Sequence, residues 1–318
     1  MEMTLPVLLD LFVATKKTEG KSLATVSWYR RRLSMFFEFL GDQARIADLT
    51  VNNARAFVAS LQERTTRYAD HPVIPQQEGG LSIHYIHSFV RAIKAFGAWL
   101  AEEGFVPSHP FGKLKRPKLP ETVVDILSDA EITAISQSVN ANTFIGARLA
   151  VIVSLLLDTG IRAGELVGLT VENVNLDENY IKVKGKGNKE RIVPFGNTSK
   201  KILLRYLVTF RPKSGNNRLI LNIDGEPLTY DALAHLMGHL AEKVAIPRLH
   251  LHLFRHTFAV RYLISGGDLM TLKLMLGHTD IVTTQLYLHL AQQHVQAIHN
   301  QHSPLDKLNI KFNGKNGV

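Results

Sequence analysis

Apolar residues recur at helical spacing along the first hundred positions. Leu5, Leu8, Leu9, Leu11 and Phe12 mark one amphipathic segment, and 25–40 a second that carries Phe36, Phe37 and Phe39. Two more fall at 51–61 and 83–100, the latter with Val90, Ile93, Phe96, Trp99 and Leu100 on or near one face. These stripes predict a small four-helix core. Between the third and fourth, 62–80 is polar, with Pro72, Pro75 and paired glycines, and is long for a bundle connection. Such a segment is either disordered or in contact with something. Periodicity is lost over 104–120, GFVPSHPFGKLKRPKLP, where four prolines and four basic residues predict an extended linker.

The pattern resumes at Leu127, where Ser128 and Glu131 have capping-box spacing ahead of Ile132 and Ile135. A buried helix is expected over 141–157, ending at Gly160, followed by the segment 162–169. Two β-like stretches, 180–183 and 191–194, flank a lysine-rich turn. Further helices read at 199–210, 230–244, 255–265 and 269–276, with Gly277 as a C-terminal stop. After it, 291–298 reads as helical and 302–318 as irregular. The expected architecture is mainly α with a small antiparallel β-sheet: an N-terminal helical domain over 1–108, a linker over 109–124, a second domain over 125–300 and a tail over 301–318.

Composition narrows the function. A length of 318 residues suits two domains, and 37 basic against 28 acidic residues leave a net charge of +9, spread along the chain. Folded surfaces facing a polyanion account for such a balance, which by itself specifies only non-specific attraction. No cysteine is present, so disulfides, cysteine-type zinc fingers and thiol catalysis are excluded. Charged residues interrupt every hydrophobic run and no basic-then-apolar leader is seen, so a soluble, cytoplasmic protein without a membrane partner is expected.

Four separated pieces carry chemistry suited to a phosphodiester: Arg162 in TGIRAGEL, the lysine turn at 182–189, HLFRH at 252–256, and LGH at 276–278 followed nine residues later by Tyr287. In-line displacement at phosphorus builds charge on the non-bridging oxygens, and planar guanidinium forks neutralise it without a metal. Arg162 and Arg255 lie 93 residues apart, so only folding can bring them together. Glu165, three positions after Arg162, can share its helical face and hold a neighbour in place. His252 and His256 have the i,i+4 spacing of a metal pair, with His250 a conceivable third ligand, but two arginines in the same site would repel a cation. No metal and no other cofactor is expected. Tyr180, Tyr206, Tyr230 and Tyr262 are alternative phenols, and Lys182, Lys184, Lys186 and Lys189 all lie in one hairpin region. Lys186, between Gly185 and Gly187, has the freedom to reach a leaving oxygen.

The segments TGIRAGEL, VKGKGNKERIVPF, HLFRHTFA and LGHTDIVTTQLYLH, in this order over 128–290, resemble the signature boxes of the tyrosine recombinase (phage integrase) family. The likeness is to its compact branch of chromosome-dimer-resolving (Xer-like) recombinases and transposon integrases. The N-terminal helices are similar, more loosely, to the family's SAM-like core-DNA-binding domain. The resemblance implies an α+β catalytic domain that forms a C-shaped clamp on DNA with the helical one. It implies catalytic roles for Arg162, Lys186, His252, Arg255, His278 and the nucleophile Tyr287, with Glu165 and His256 in support. His252 would assist proton transfer at the tyrosine and contact the phosphate. Lys186 would protonate the departing 5′-oxygen.

The implied activity is site-specific recombination through a 3′-phosphotyrosine and a Holliday junction, serving integration, excision or resolution of a mobile element or replicon dimer. A type IB-like topoisomerase or a catalytically idle DNA-binding protein is the alternative. Double-stranded DNA with inverted-repeat core sites is the implied partner. Self-association would give a dimer on one site and a tetramer in the synapse, and accessory DNA-bending or directionality proteins are admitted as further partners. Expected DNA contacts come from Arg30, Arg31, Lys113, Lys115, Arg116, Lys118, Lys182, Lys184, Lys189 and Arg191.

Overall fold

The computed structural model describes residues 3–67, 75–120, 125–185, 189–277, 284, 287 and 303. The chain divides into two compact units, Met1–Glu121 and Thr122–Val318. Helices α1 (Leu5–Thr18), α2 (Leu23–Leu40), α3 (Val51–Glu63) and α4 (Ile83–Glu102) build the first. The hydroxyls of Ser22, Thr50 and Ser82 accept from backbone N–H groups three residues on and so set the starts of α2, α3 and α4. The first of these caps places the start of α2 two residues before the apolar stripe suggests. Phe12 centres the core, with the rings of Tyr29, Phe96 and Trp99 edge-on to it at centroid distances of 5.2, 5.4 and 5.4 Å.

Two segments differ from expectation. Phe111 and Leu114, inside the stretch read as linker, are buried in the core of the first unit, and Lys94 Nζ donates to the carbonyls of Gly112 and Leu114. Proline-rich backbone lacks regular partners, and this lysine supplies one where two apolar side chains anchor the chain. In the polar connection, β1 (Thr66–Arg67) pairs antiparallel with β2 (Gln77–Glu78), an element without a hydrophobic signal. Residues 68–74 of that connection lie outside the described residues.

The second unit starts with α5 (Asp129–Ser138), where Ser128 and Glu131 form the capping box. Helix α6 (Phe144–Thr159) buries Val151, Ile152, Leu155 and Leu156 completely and is contacted by α8 (Asn197–Arg205) and α10 (Leu251–Ile264). Between α6 and α8 come α7 (Ala163–Gly168) and the antiparallel sheet β3 (Val174–Asn175), β4 (Tyr180–Lys184) and β5 (Glu190–Pro194), in the order β3-β4-β5. Ile181 faces Val193 and Lys184 faces Glu190, and the Gly185 N–H donates to the Lys189 carbonyl at 2.8 Å beyond the last pair. A π-helical turn, Tyr206–Phe210, continues α8. Helices α9 (Tyr230–Lys243) and α11 (Leu269–Leu276) are the remaining described α-helices beside α10.

Helix α10 begins at Leu251, four residues earlier than its apolar pattern indicates. It is tied to the entry of the unit by Thr257, whose hydroxyl accepts from the Leu127 N–H at 2.9 Å, and by Arg261, which donates to the Leu127 carbonyl. His252, Arg255 and His256 therefore share one helix. The expected helix over 291–298 and the stretch 302–318 lie outside the described residues, apart from Ser303.

Two glycines end helices in the left-handed conformation: Gly160 after α6 (φ 59°) and Gly277 after α11 (φ 63°). A Cβ on Gly160 would stand 2.3 Å from Phe258 of α10 and 3.0 Å from Leu276 of α11. The glycine thus lets three helices converge. Gly160→Ala combines a left-handed alanine with overpacking, so a loss of roughly 2–4 kcal/mol is expected. Denaturant titration followed by circular dichroism checks it; an unchanged midpoint would show that the convergence tolerates a side chain.

Candidate active site

The ends of α6 and α11, the start of α7, the edge of β5 and the second turn of α10 meet in the second unit. Arg162 occupies the N-cap position of α7. Its backbone N–H donates to Glu165 Oε2 at 2.8 Å and its Nη1 to Glu165 Oε1 at 3.0 Å, while Nη2 reaches the Gly277 carbonyl at 3.4 Å. Arg255, only 4% exposed, donates at 2.7 Å to the carbonyls of both Gly160 and Leu276. Arg191 forks onto the two oxygens of Glu165 at 2.8 Å each and turns its Nε to the Met275 carbonyl at 2.6 Å. Three successive carbonyls at the end of α11 therefore each accept from a different arginine. A helix leaves its last carbonyls unpaired and its C-terminus partially negative, so cations are favoured there.

Arg191 changes the reading of its segment. The sequence grouped it with the DNA-facing lysines, yet its guanidinium points inward, whereas Lys182, Lys184 and Lys189 are exposed. The signal was present in the alternation of β5, where Arg191 shares the inner face with Val193 while Ile192 is 57% exposed. Among the other expected DNA-contacting residues, Arg31, Lys113, Lys115, Arg116 and Lys118 are exposed, and Arg30 pairs with Asp10 at 2.7 Å.

Tyr287 is buried in the same place, 3% exposed. Its hydroxyl lies 2.9 Å from His256 Nδ1 and is hydrogen-bonded by the Arg255 side chain. The family resemblance implied that His252 assists proton transfer at the tyrosine; the ring against Tyr287 is that of His256, with His252 next to it at a ring separation of 6.2 Å. Lys186 and His278 lie outside the described residues. Among the described residues no group of three or more histidines and carboxylates is arranged to hold a metal ion.

The electrostatics follow from crowding positive charge in a poorly solvated place. Burial, then the Arg162 charge, lowers the Arg255 guanidinium to about 10, still protonated at neutral pH. Burial, then His252, His250 and Arg255, pulls His256 down to about 4, leaving a neutral imidazole. His252 is lowered by burial and by Arg255, His250 and Arg162. Burial raises the Tyr287 phenol, and Arg255 and Arg162 oppose that rise. For Glu165, burial would raise the carboxyl, but the Arg191 hydrogen bonds, the Arg162 N–H and both guanidinium charges prevail and lower it. Such a site can stabilise an anion and orient a phenol.

Because the Glu165 carboxyl is depressed in the folded state, its contribution is complete above the ordinary glutamate pKa of about 4.3 and fades as pH falls through the lower folded value. Glu165→Gln leaves buried guanidinium charge uncompensated and should cost about 3–5 kcal/mol at pH 7. Denaturant titrations at pH 7 and pH 5 should give the same deficit; a deficit already shrinking between them would show that the carboxyl is not depressed.

Comparison with known proteins identifies the family. Residues 125–294 match the model of the phage integrase family. Over 291 residues the chain is 33% identical to the tyrosine recombinase XerD of Staphylococcus saprophyticus and 36% identical to that of Staphylococcus aureus, in each case covering 90% of this chain and 94% of the relative. In fold it is similar to the Tn1549 transposon integrase in complex with transposon right end DNA, with a TM-score of 0.70 at 19% identity, covering 94% of this chain and 99% of that one. The chain belongs to the phage integrase family, as a site-specific tyrosine recombinase that cleaves and rejoins DNA through a phosphotyrosine intermediate.

Proposed function

We propose that Tyr287 attacks the scissile phosphate to form the 3′-phosphotyrosyl link, with Arg162 and Arg255 neutralising the non-bridging oxygens. The observation that carries this reading is the convergence of Arg162 from the start of α7, Arg255 and His256 from α10, and Tyr287 at one place. Glu165 and Arg191 hold the arginines in position. Lys186, from the β4–β5 turn, protonates the departing 5′-oxygen, and His252 and His278 donate to the phosphate. The 5′-hydroxyl of a partner strand later attacks the phosphotyrosine, so the phosphodiester bond energy is kept in the covalent link and neither a nucleotide nor a metal is consumed.

The partner is double-stranded DNA with inverted-repeat core sites, bound by a dimer at each site and a tetramer in the synapse. Lys113, Lys115, Arg116 and Lys118 in the first unit, and Lys182, Lys184 and Lys189 in the second, follow the phosphate backbone. Their exposure supports this, as does a net charge of +9. The inward guanidinium of Arg191 removes it from that set. No helix among the described residues is long and apolar enough to cross a membrane. Acting on chromosomal or mobile DNA, the protein works at the nucleoid of a prokaryotic cell.

Tyr287→Phe keeps the buried ring and removes only the hydroxyl, so it should bind its half-site normally and form no covalent adduct on a suicide substrate. Adduct formation at the wild-type level would remove Tyr287 from the mechanism. Lys186→Ala should lose cleavage of an ordinary phosphodiester by roughly 10²-fold or more and regain much of it on a 5′-bridging phosphorothioate, whose sulfur leaves without a proton. Alanine variants of Lys182, Lys184 and Lys189, measured on both substrates, locate the acid; selective sulfur rescue at one of them instead of Lys186 would move the role there.

A further inference from the structure

Arg255 and His256 both meet the Tyr287 hydroxyl, and they differ in what they can do with its proton. The Arg255 guanidinium has only N–H groups and can only donate, so toward it the phenol oxygen acts as an acceptor. The His256 Nδ1 stands 2.9 Å away, at a distance suited to a direct hydrogen bond. Its imidazole is neutral at physiological pH, because burial and the neighbours His252, His250 and Arg255 all oppose its protonation. A neutral imidazole with a bare Nδ1 accepts the phenolic O–H. His256 also lines a cleft with Tyr230, Met237, His250 and His252, which gives its ring a way to exchange protons beyond the buried hydroxyl.

We propose that His256 is the group that takes the proton of Tyr287 during cleavage and returns it during rejoining. The inference rests on Tyr287 being the nucleophile. In cleavage the phenolic O–H breaks and its proton passes to Nδ1, the Oη–P bond forms, the P–O5′ bond breaks, and the departing 5′-oxygen takes a proton from the lysine acid. In rejoining the 5′-hydroxyl gives its proton back to the lysine, the O5′–P bond forms, the P–Oη bond breaks, and the imidazolium reprotonates Tyr287. Entry of the phosphate anion and development of charge at phosphorus favour the imidazolium, offsetting the burial and the Arg255 charge that oppose its protonation in the free site. The supporting position that the sequence assigned to His256 thus becomes a catalytic one, and His252 is left to the phosphate.

The test uses the full-length protein and single-turnover cleavage of a 5′-bridging phosphorothioate suicide substrate across pH, so that the lysine acid does not contribute. Asparagine places an amide where Nδ1 stands and accepts a hydrogen bond, but it cannot take a proton. His256→Asn should bind the half-site as the wild type does and cleave roughly 10²-fold more slowly at neutral pH. Its deficit should then narrow by up to about tenfold per pH unit as the phenol ionises unaided. A rate near that of the wild type at neutral pH overturns the proposal, and so does a deficit equal at every pH, which is the signature of an imidazole that merely positions the ring. Should the asparagine variant fail to bind the half-site, His256→Ala supplies the same comparison. Tyr287→Phe, run in parallel, separates the two readings: adduct formation by that variant refutes the nucleophile itself, whatever His256 does.

Discussion

The catalytic unit depends on guanidinium charge being held against the end of one helix. Three arginines converge where α11 stops, and the carbonyls of Met275, Leu276 and Gly277 each take one of them. Buried positive charges repel and lose hydration, so such a cluster persists only where every charge meets an acceptor. Among the described residues Glu165 provides the full negative charge shared by Arg162, which donates to it, and Arg191, which forks onto it, while Arg255 donates to the carbonyls of Gly160 and Leu276. Charge-assisted hydrogen bonds of this kind hold planar groups in a fixed orientation, which a site that must meet an anion requires.

The glycines at the two helix ends make that arrangement sterically feasible. Gly160 both terminates α6 in a conformation closed to most residues and exposes the carbonyl that anchors Arg255. With Gly277 ending α11 in the same way, the backbone at each terminus turns away and leaves its last carbonyls facing the arginines. Stability and chemistry are coupled here: the helix termini that complete the core of the unit are also the acceptors that aim its cations.

The tyrosine sits at the border of this charge cluster. Burial alone would make its phenol harder to ionise, and Arg255 and Arg162 work in the opposite direction. Burial, and after it the neighbouring positive groups, lowers His252 and His256 and so favours their neutral forms. The site therefore presents fixed cations, uncharged imidazoles and a protonated phenol before DNA arrives, and a phosphate entering it lowers the cost of protonating an imidazole.

Much of the molecule was legible in the chain. Helical periodicity located α1 to α4 and most of the second-unit helices, Ser128 and Glu131 marked the start of α5, and Gly160 and Gly277 marked two stops, because capping and amphipathic spacing are local properties. Four motifs in order named the family. Local signals failed where a distant group decided the outcome: Phe111 and Leu114 joined a core that their own segment does not announce. Arg191 showed its inward side only once strand alternation was read against the exposed Ile192. By itself the sequence determined which side chains were available for phosphodiester chemistry. Tertiary structure alone decided that Arg191 completes the carboxylate cluster and that His256 touches the Tyr287 hydroxyl, because hydrogen bonds between residues 26 and 31 positions apart exist only after the helices pack.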